Sequence, residues 1–381
     1  MSSKTLHLKL LAAVLAATLL SLVQPVAAPA ARSAREKTIV VSEGGGLGRI
    51  ESQGKLGAIL RRDEGIVTLL DVKNPSSPKI LGSYDDGATL SLDGDLAFSK
   101  DGAYIFYARQ TEQFSKDGLH VLEVSDPKSP RLTAYFPMGG AYRVDSFDAG
   151  DAEYIYVLDA THGLVTLRFE PMSGQVIPVN IDPLPQLKVG GPASAGIFID
   201  PKDPMTGTPL MYITTGKTGL QIYDLSDAAV PQVIATWDEV GLAEVEVQTS
   251  KKQRIVYAAT EYWFDKSIEP RVVVLDASDL GKIEEAASFD LRYAADPQDR
   301  QRVQGMDIRG DRLYVAHSTV GVAVFPTDPD KPIVARWNLP TGEPTEKAAT
   351  LGTPYAYDVE VVGDRIYVTD ATTGQLSIFR P

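Results

Sequence analysis

Residues 65–84 read GIVTLLDVKNPSSPKILGSY and form the clearest copy of a unit that recurs along the chain. A run rich in β-branched and aliphatic residues follows Gly65, and a turn containing Asn74, Pro75 and Pro78 separates it from a second such run. Proline fixes φ for a bend, and the Asn side chain can hydrogen-bond the local backbone. The stretch therefore predicts two antiparallel strands joined by a tight turn.

The same unit recurs six more times, which sets the architecture. Copies begin at Gly118 with GLHVLEVSDPKSPRLTAYF and at Gly219 with GLQIYDLSDAAVPQVIATW, and looser copies begin at residues 163, 271, 321 and 374. Another recurring piece precedes several copies, as in GDRIYVTDATTG from Gly363 and GDRLYVAHSTVG from Gly310. Each full unit thus predicts four strands. Units about 45 to 56 residues apart are typical of β-propeller blades.

The two ends of the chain complement each other. The last copy stops after its third strand, Gln375 to Arg380, and an orphan strand, KTIVVS, begins at Lys37. Pairing of the two would complete the last blade and remove an exposed strand edge. The sequence therefore predicts an all-β fold, a seven-bladed β-propeller of four-stranded blades, with residues 37–381 as a single domain closed by N-terminal strand pairing with the C-terminal blade.

The N-terminal residues have the pattern of a secretory signal. Lys4 and Lys9 precede an apolar stretch from Leu10 to Val23, and small residues follow at 26–30. This pattern predicts a signal peptide at residues 1–30 and a short linker at 31–36, with an uncleaved anchor as the alternative. The apolar stretch is short for a bilayer span. We therefore expect a secreted or periplasmic protein without a membrane span in the mature chain.

Composition excludes several classes of function. The chain has no cysteine, which excludes disulfides, thiolate metal sites and a cysteine nucleophile. Its formal net charge is −13. Nucleic acids and anionic membranes are bound mainly through Lys and Arg, so an acidic surface argues against both partners. It suits cations, basic partners or plain solubility.

Four stretches of the sequence resemble LVIVD repeats, a motif of bacterial and archaeal secreted or surface proteins. They are GIVTLLDVKNPSSP, GLHVLEVSDPKSP, GLQIYDLSD and YAYDVEVVGDRIYVTDATTG. The resemblance extends from about residue 60 to the C-terminus, and the segment from Asp95 also resembles the strand pair of YVTN-type propellers. It implies a β-propeller with a surface or adhesion-type role. The family has no agreed catalytic motif, so no site residues are carried over from it.

Candidate binding residues lie where the second strand of a blade leads into the third. In a propeller these loops share one face and surround the channel mouth. The candidates in or beside them are Asp63, Arg109, Asp159, His162, Glu261, Tyr262, Trp263, His317, Asp358 and Asp370. The strand alignment places Asp159, His317 and Asp370 at equivalent positions of blades 3, 6 and 7. A rim of carboxylates suits a cation or a basic ligand.

Two ligand classes remain open for this face. His162, His317 and Asp370 form a candidate zinc or iron set, although blades 3 and 6 lie far apart in the ring, and calcium on the acidic rim is the alternative. Tyr262 and Trp263, beside Glu261, suit sugar rings or basic peptide side chains. A loop folded back onto the neighbouring blade is an equally good explanation of these aromatic residues.

No serine-hydrolase elbow, Walker loop or zinc-protease motif is present. The sequence therefore favours a non-enzymatic extracytoplasmic recognition or scaffold module that binds a protein or carbohydrate partner at the channel mouth. The alternative is a metal-assisted lyase or hydrolase in the same funnel, with calcium or zinc as its cofactor.

Overall fold

Strands make up nearly all the regular structure, as the β-branched and aromatic runs predict. The computed structural model describes residues 35–85, 87, 91–111, 116–182, 195–216, 218–239, 241–260, 270–291, 303–318, 321–328, 335–337 and 355–380. Within these ranges the helical structure is one 3-10 turn, Arg62–Glu64. None of the described residues belongs to a helix with the length and apolar character that a membrane crossing needs.

The described strands form seven four-stranded antiparallel sheets, which are the predicted blades. Blade 1 contains β2 (Leu47–Gln53), β3 (Leu56–Arg61), β4 (Ile66–Asp71) and β5 (Lys79–Tyr84). Blade 2 contains β6 (Ser91–Phe98), β7 (Tyr104–Thr111), β8 (Gly118–Glu123) and β9 (Arg131–Pro137). Blade 3 contains β10 (Ala141–Asp148), β11 (Glu153–Asp159), β12 (Gly163–Glu170) and β13 (Gln175–Asp182). The first strand of each blade, called its inner strand, lies beside the central channel.

The remaining blades repeat this order. Blade 4 contains β14 (Ala195–Asp200), β15 (Leu210–Thr215), β16 (Gly219–Asp224) and β17 (Gln232–Trp237). Blade 5 contains β18 (Leu242–Thr249), β19 (Arg254–Thr260), β20 (Arg271–Asp276) and β21 (Glu284–Asp290). Blade 6 contains β22 (Val303–Arg309), β23 (Arg312–His317), β24 (Gly321–Pro326) and β25 (Ala335–Trp337). Blade 7 contains β26 (Ala356–Val362), β27 (Arg365–Asp370), β28 (Gln375–Phe379) and, from the other end of the chain, β1 (Arg35–Val40).

The predicted ring closure is confirmed. β1 pairs antiparallel with β28, so that Thr38 lies opposite Ser377 and Ile39 opposite Leu376. The strand begins at Arg35, two residues before the predicted start of the domain. Just beyond it, the carbonyl of Gly374 accepts hydrogen bonds from the backbone N–H groups of Val41 and Ser42, at 2.9 and 3.1 Å. Strand β28 therefore has a partner strand on both sides.

The hydrophobic core is divided among the interfaces between blades. Seven clusters of buried side chains are present among the described residues, and each joins two neighbouring blades. Between blades 2 and 3, for example, Phe106 packs in the same cluster as Val157. Between blades 7 and 1, Tyr367 and Ile378 share a cluster with Ile59. Each blade thus buries both faces, which explains the near-continuous apolar runs of the second and third strands.

The tyrosine of the second strand and the proline-type turn are linked across blade boundaries. The hydroxyl of Tyr367 in blade 7 donates to the carbonyl of Pro75 in blade 1 at 2.7 Å. Tyr156 reaches the carbonyl of Ala228 in the next blade at 2.8 Å, and Tyr257 that of Thr327 at 2.9 Å. The tyrosine strand and the proline-type turn therefore recur together, because each of these tyrosine hydroxyls needs a buried acceptor in the turn of the neighbouring blade.

Replacing Tyr367 with Phe should lower the free energy of unfolding by about 1 kcal/mol, because the Pro75 carbonyl would lose its donor while the ring stays packed. Urea denaturation measures this loss. Tyr154→Phe is the control, since the Tyr154 hydroxyl forms no hydrogen bond with the described residues. Equal stability of the two variants would show that the bond between blades contributes nothing.

Glycine opens the third strand of most blades because its position admits no Cβ. At Gly219, where φ is +79°, a Cβ would lie 2.2 Å from the carbonyl oxygen of Trp237 on the fourth strand. At Gly374, where φ is +64°, it would lie 2.3 Å from the Ser42 carbonyl oxygen. Both distances are far shorter than a van der Waals contact. The repeated glycine therefore has a structural cause in the close approach of neighbouring backbones.

Candidate functional site: the central channel

Charged side chains from the inner strands line the channel in two layers. Residues two apart on a strand point to the same face, so each inner strand can place two polar side chains in the channel. We call the layer nearer the strand starts the upper tier: Arg49, Asp95, Arg143, Glu244 and Asp358. The next layer is the lower tier: Glu51, Asp145, Glu246, Asp307 and Glu360. All ten line one cavity of about 390 Å³, a volume within the range of small-molecule sites.

Ion pairs across the channel hold the upper tier together. Both guanidinium groups bind the same carboxylate oxygen: Arg49 donates to Glu244 Oε1, and Arg143 Nη2 donates to it at 2.8 Å. Arg49 also lies 3.5 Å from Asp358 and 3.9 Å from Asp95. The network therefore connects blades 1, 2, 3, 5 and 7 across the ring.

The two tiers differ in their access to water. Upper-tier side chains are buried: Arg49 and Arg143 are each 6% exposed, and Asp358 is 5% exposed. All five lower-tier residues are half-buried, so solvent reaches them from the cavity. A molecule that enters the cavity would therefore meet the lower tier.

The lower tier has no basic partner among the described residues. Asp145 and Asp307 accept hydrogen bonds from backbone N–H groups, for example from Ser146 to Asp145 at 2.7 Å. Glu360 accepts the hydroxyl of Ser52 at 2.6 Å. The carboxyl groups of Glu51 and Glu246 form no hydrogen bond or ion pair with the described residues.

Burial dominates the acid–base behaviour of the cavity because it penalises the charged form of a carboxyl group. It raises the pKa of Asp145 to about 7 and that of Asp307 to about 6. Burial, and then the neighbouring carboxyls, raise the pKa of Glu51, Glu246 and Glu360 well above the ordinary value.

In the upper tier, ion pairs oppose the effect of burial on the pKa values of Asp358 and Arg49. Burial raises the pKa of Asp358 to about 7 even though Arg49 opposes the shift, since one guanidinium is shared among three carboxylates. Burial alone would lower the pKa of Arg49, but the surrounding carboxylates outweigh it and hold the pKa well above its ordinary value.

Two of the predicted site residues, Asp159 and Asp370, are buried at the ends of their second strands. Asp159 Oδ1 accepts the backbone N–H groups of Thr161 and His162, at 2.9 and 2.8 Å. Asp370 Oδ1 accepts those of Thr372 and Thr373 in the same way, at 2.8 and 3.1 Å. The two aspartates are equivalent, as predicted, and in both blades the carboxylate shapes the tight turn into the third strand.

The three predicted metal ligands lie on three different blades. His162 is in blade 3, where its Nδ1 is 2.7 Å from Asp159 Oδ1 and its side chain is 44% exposed. His317 is buried at the end of β23, and Asp370 ends β27. Over the described part of the chain, no group of three His, Asp or Glu side chains is arranged to hold a metal ion.

The other candidates occupy varied positions. Asp63 Oδ2 accepts the backbone N–H of Gly46 at 2.8 Å, and Arg109 is fully buried. Glu261, Tyr262 and Trp263 lie outside the described residues. Of the candidates that the structure describes, Asp358 alone lines the cavity.

Sequence reasoning missed the other nine charged residues of the two tiers. Their signal was present as alternation in the inner strands, in Arg49 and Glu51, Arg143 and Asp145, or Glu244 and Glu246. Alternating polar residues ordinarily mark the solvent face of a strand. Once the ring is closed, that face becomes the wall of a channel.

Comparison with known proteins agrees with the fold. Residues 63–86 match the LVIVD repeat family model, which covers β4 and β5 of blade 1. No curated protein sequence gives a match. Among solved structures, the β-propeller domain of Cps50 (Swd1) from Myceliophteria thermophila is similar, with a TM-score of 0.60, 13% sequence identity, and coverage of 92% of this chain and 99% of that chain. At that identity the likeness concerns the fold alone. This chain is therefore a seven-bladed β-propeller that carries an LVIVD repeat in its first blade.

Proposed function

We propose that this propeller is a binding module whose central channel accepts a positively charged group, such as the ammonium or guanidinium of a partner protein or a small ligand. The observation that carries the proposal is the lower tier, in which five carboxyl groups face a cavity and have no basic partner among the described residues. A cation bound there would form charge-assisted hydrogen bonds inside a cavity, where the surrounding protein makes them stronger than in bulk water.

The ion pairs of the upper tier support this proposal. Arg49 and Arg143 place two guanidinium groups on Glu244 within the same cavity. A ligand guanidinium or ammonium would find similar carboxylates one layer further on, at Glu51 and Glu246. The proposal places recognition inside the channel, whereas the sequence pointed to the loops at its mouth.

The protein acts outside the cytoplasm in this proposal. Support comes from the N-terminal pattern of Lys4, Lys9 and the apolar stretch that follows, and from the LVIVD repeat, which is commonly found in surface and extracellular proteins. Binding is favoured over catalysis because the sequence has no serine-hydrolase elbow, Walker loop or zinc-protease motif.

Binding of agmatine, which carries one guanidinium and one ammonium group, tests the proposal by isothermal titration calorimetry at about pH 8, above the pKa of about 7 of Asp145 and of about 6 of Asp307. We expect saturable binding that weakens at least about tenfold in Glu246→Gln or Glu51→Gln, since each variant removes one carboxylate from the cavity. Glu284→Gln is the control, because Glu284 pairs with Lys282 on the outside of blade 5 and both side chains are more than half exposed.

Two outcomes would contradict the proposal. Absence of binding by agmatine, spermidine and a lysine- and arginine-rich peptide would exclude a cation-binding channel. Equal loss of affinity in Glu246→Gln and Glu284→Gln would mean that the acidic surface as a whole attracts these ligands.

The second candidate, a metal-assisted lyase or hydrolase at the loop face, is tested in the same preparation. Thermal unfolding with calcium or zinc, and with chelator, reports metal binding because a ligand of the native state raises stability. A stabilising shift that disappears in His162→Ala, His317→Ala or Asp370→Ala would favour the enzyme. A shift that instead disappears in Glu246→Gln would place the divalent ion in the channel.

A further inference from the structure

The lower tier holds its carboxyl groups under conditions that favour bound protons. They share one cavity, and the upper-tier guanidinium groups are engaged with Glu244, Asp358 and Asp95. Among the described residues, the cavity is lined by eight carboxyl groups, three in the upper tier and five in the lower, and by two cationic side chains, Arg49 and Arg143. Two arginines cannot neutralise eight carboxylates. Some of these groups must be protonated, or a cation must enter.

The distribution of partners shows which groups take the protons. Glu244 receives both guanidinium groups of the upper tier. After burial, which raises the pKa of both Glu51 and Glu246 most strongly, the largest effect comes from another carboxyl: Glu360 for Glu51, and Asp307 for Glu246. Two neighbouring carboxyls in a poorly solvated site cannot both ionise easily, so they share protons.

We infer that the channel exchanges protons for its cation, so that binding releases protons from the lower tier and acidification expels the ligand. This inference rests on the proposed function and adds its regulation. In the exchange, the O–H bonds of protonated lower-tier carboxyls break and their protons pass to water or buffer. The carboxylates that remain accept hydrogen bonds from the ligand cation.

The structure favours the direction of this coupling. Burial raises the pKa of Asp145 and Asp307 to about 7 and about 6, so these groups change charge near neutral pH in the empty cavity. A bound cation would lower the pKa of each carboxyl that it touches, as opposite charges do. Such a ligand would pair with lower-tier carboxylates as Arg49 and Arg143 pair with Glu244.

Agmatine titrations tell proton exchange apart from simple charge attraction. The ligand keeps both positive charges below about pH 9, so any change of affinity below that pH belongs to the protein. We expect the affinity to fall at least about tenfold between about pH 8 and about pH 6, as carboxyls take up protons. At about pH 7, the binding heat should depend on the ionisation enthalpy of the buffer in the sense of proton release.

The number of protons that Glu246→Gln releases per bound ligand is a measurement that a purely structural role of Glu246 would leave unchanged. At a ligand concentration raised to reach saturation, this variant should release fewer protons per ligand than the native protein, whereas Glu284→Gln should release the same number. Equal affinity at both pH values, with no dependence of the heat on the buffer, would overturn the inference and leave the proposed function standing. Absence of agmatine binding at every pH would instead defeat the proposed function.

Discussion

Unfolding is expected to require more free energy at about pH 5.5 than at about pH 8, which is opposite to the acid sensitivity of most proteins. Burial raises the pKa of Asp145 and of Asp358 to about 7, above the ordinary aspartate value of 3.8. A group with a raised pKa holds its proton more tightly in the folded state. Its stabilising contribution is complete below the pKa of the unfolded chain and is lost as the pH rises through the folded value.

The expected size follows from this linkage. For one carboxyl with a pKa of about 7 in the folded state and about 4 in the unfolded chain, stability falls by about 2 kcal/mol between about pH 5.5 and pH 8. Asp145 and Asp358 together therefore predict a loss on the order of 4 kcal/mol. The comparison of stabilities stays above about pH 5 because protonation of other groups destabilises the folded protein in stronger acid. One such group is Asp148, whose pKa is lowered by its hydrogen bond with Lys100.

Urea denaturation at several pH values measures the effect. Asp145→Asn and Asp358→Asn, which mimic the neutral acid, should each flatten the dependence of stability on pH, while Glu284→Gln on the outer surface should leave it unchanged. A stability that is constant or rises towards pH 8 in the native protein would show that the channel carboxyls are solvated well enough to ionise freely.

Removal of β1 is expected to lower the melting temperature by about 7 °C. A chain that begins at Glu43 loses the pairing of β1 with β28 and the contacts of Ile39 and Val41 with the cluster between blades 7 and 1. It also loses Glu36, which pairs with Arg365 and, at 3.0 Å, with Arg380. Together these losses amount to a free energy on the order of 5 kcal/mol, and β28 becomes an exposed edge.

The matched control is a chain that begins at Ser33, which keeps all of β1. Calorimetry of the two chains gives the difference, and light scattering shows whether the exposed edge causes self-association. A second control, Val40→Ala, alters a half-exposed side chain of the same strand and should change the melting temperature little. Equal melting temperatures of the two chains would mean that the ring is held by the other blades alone.

Most of the architecture could be predicted because the recurring unit contains residues that mark where its strands begin and end. Gly65, the Asn74-Pro75 turn and their counterparts mark the third and fourth strands of each blade, and the aromatic strand marks the second. The number of blades and the role of the N-terminal strand follow from counting these marks. The interactions behind them, such as the bond from Tyr367 to the Pro75 carbonyl, depend on which blades are neighbours and therefore required the structure.

The channel could be predicted only in outline. The sequence indicated an acidic site that suits a cation, and it placed that site in loops such as the one that begins at Asp159. In the structure, Asp159 and Asp370 are engaged by the backbone of their own turns. The carboxyls that face the cavity lie on inner strands. Only ring closure determines whether side chains such as Glu51 and Glu246 face bulk water or other carboxyl groups. The aromatic loop that contains Tyr262 and Trp263 remains a prediction.

Ring closure joins the first described residues to the last, since Arg35 lies opposite Phe379. For a chain made from its N-terminus, β1 has no partner strand until the distant β28 has been synthesised. Contacts between such distant residues form slowly, because a very long loop has to close first. Assembly of the ring is therefore a late event, and until it occurs the intermediate has one open blade that can pair with another chain.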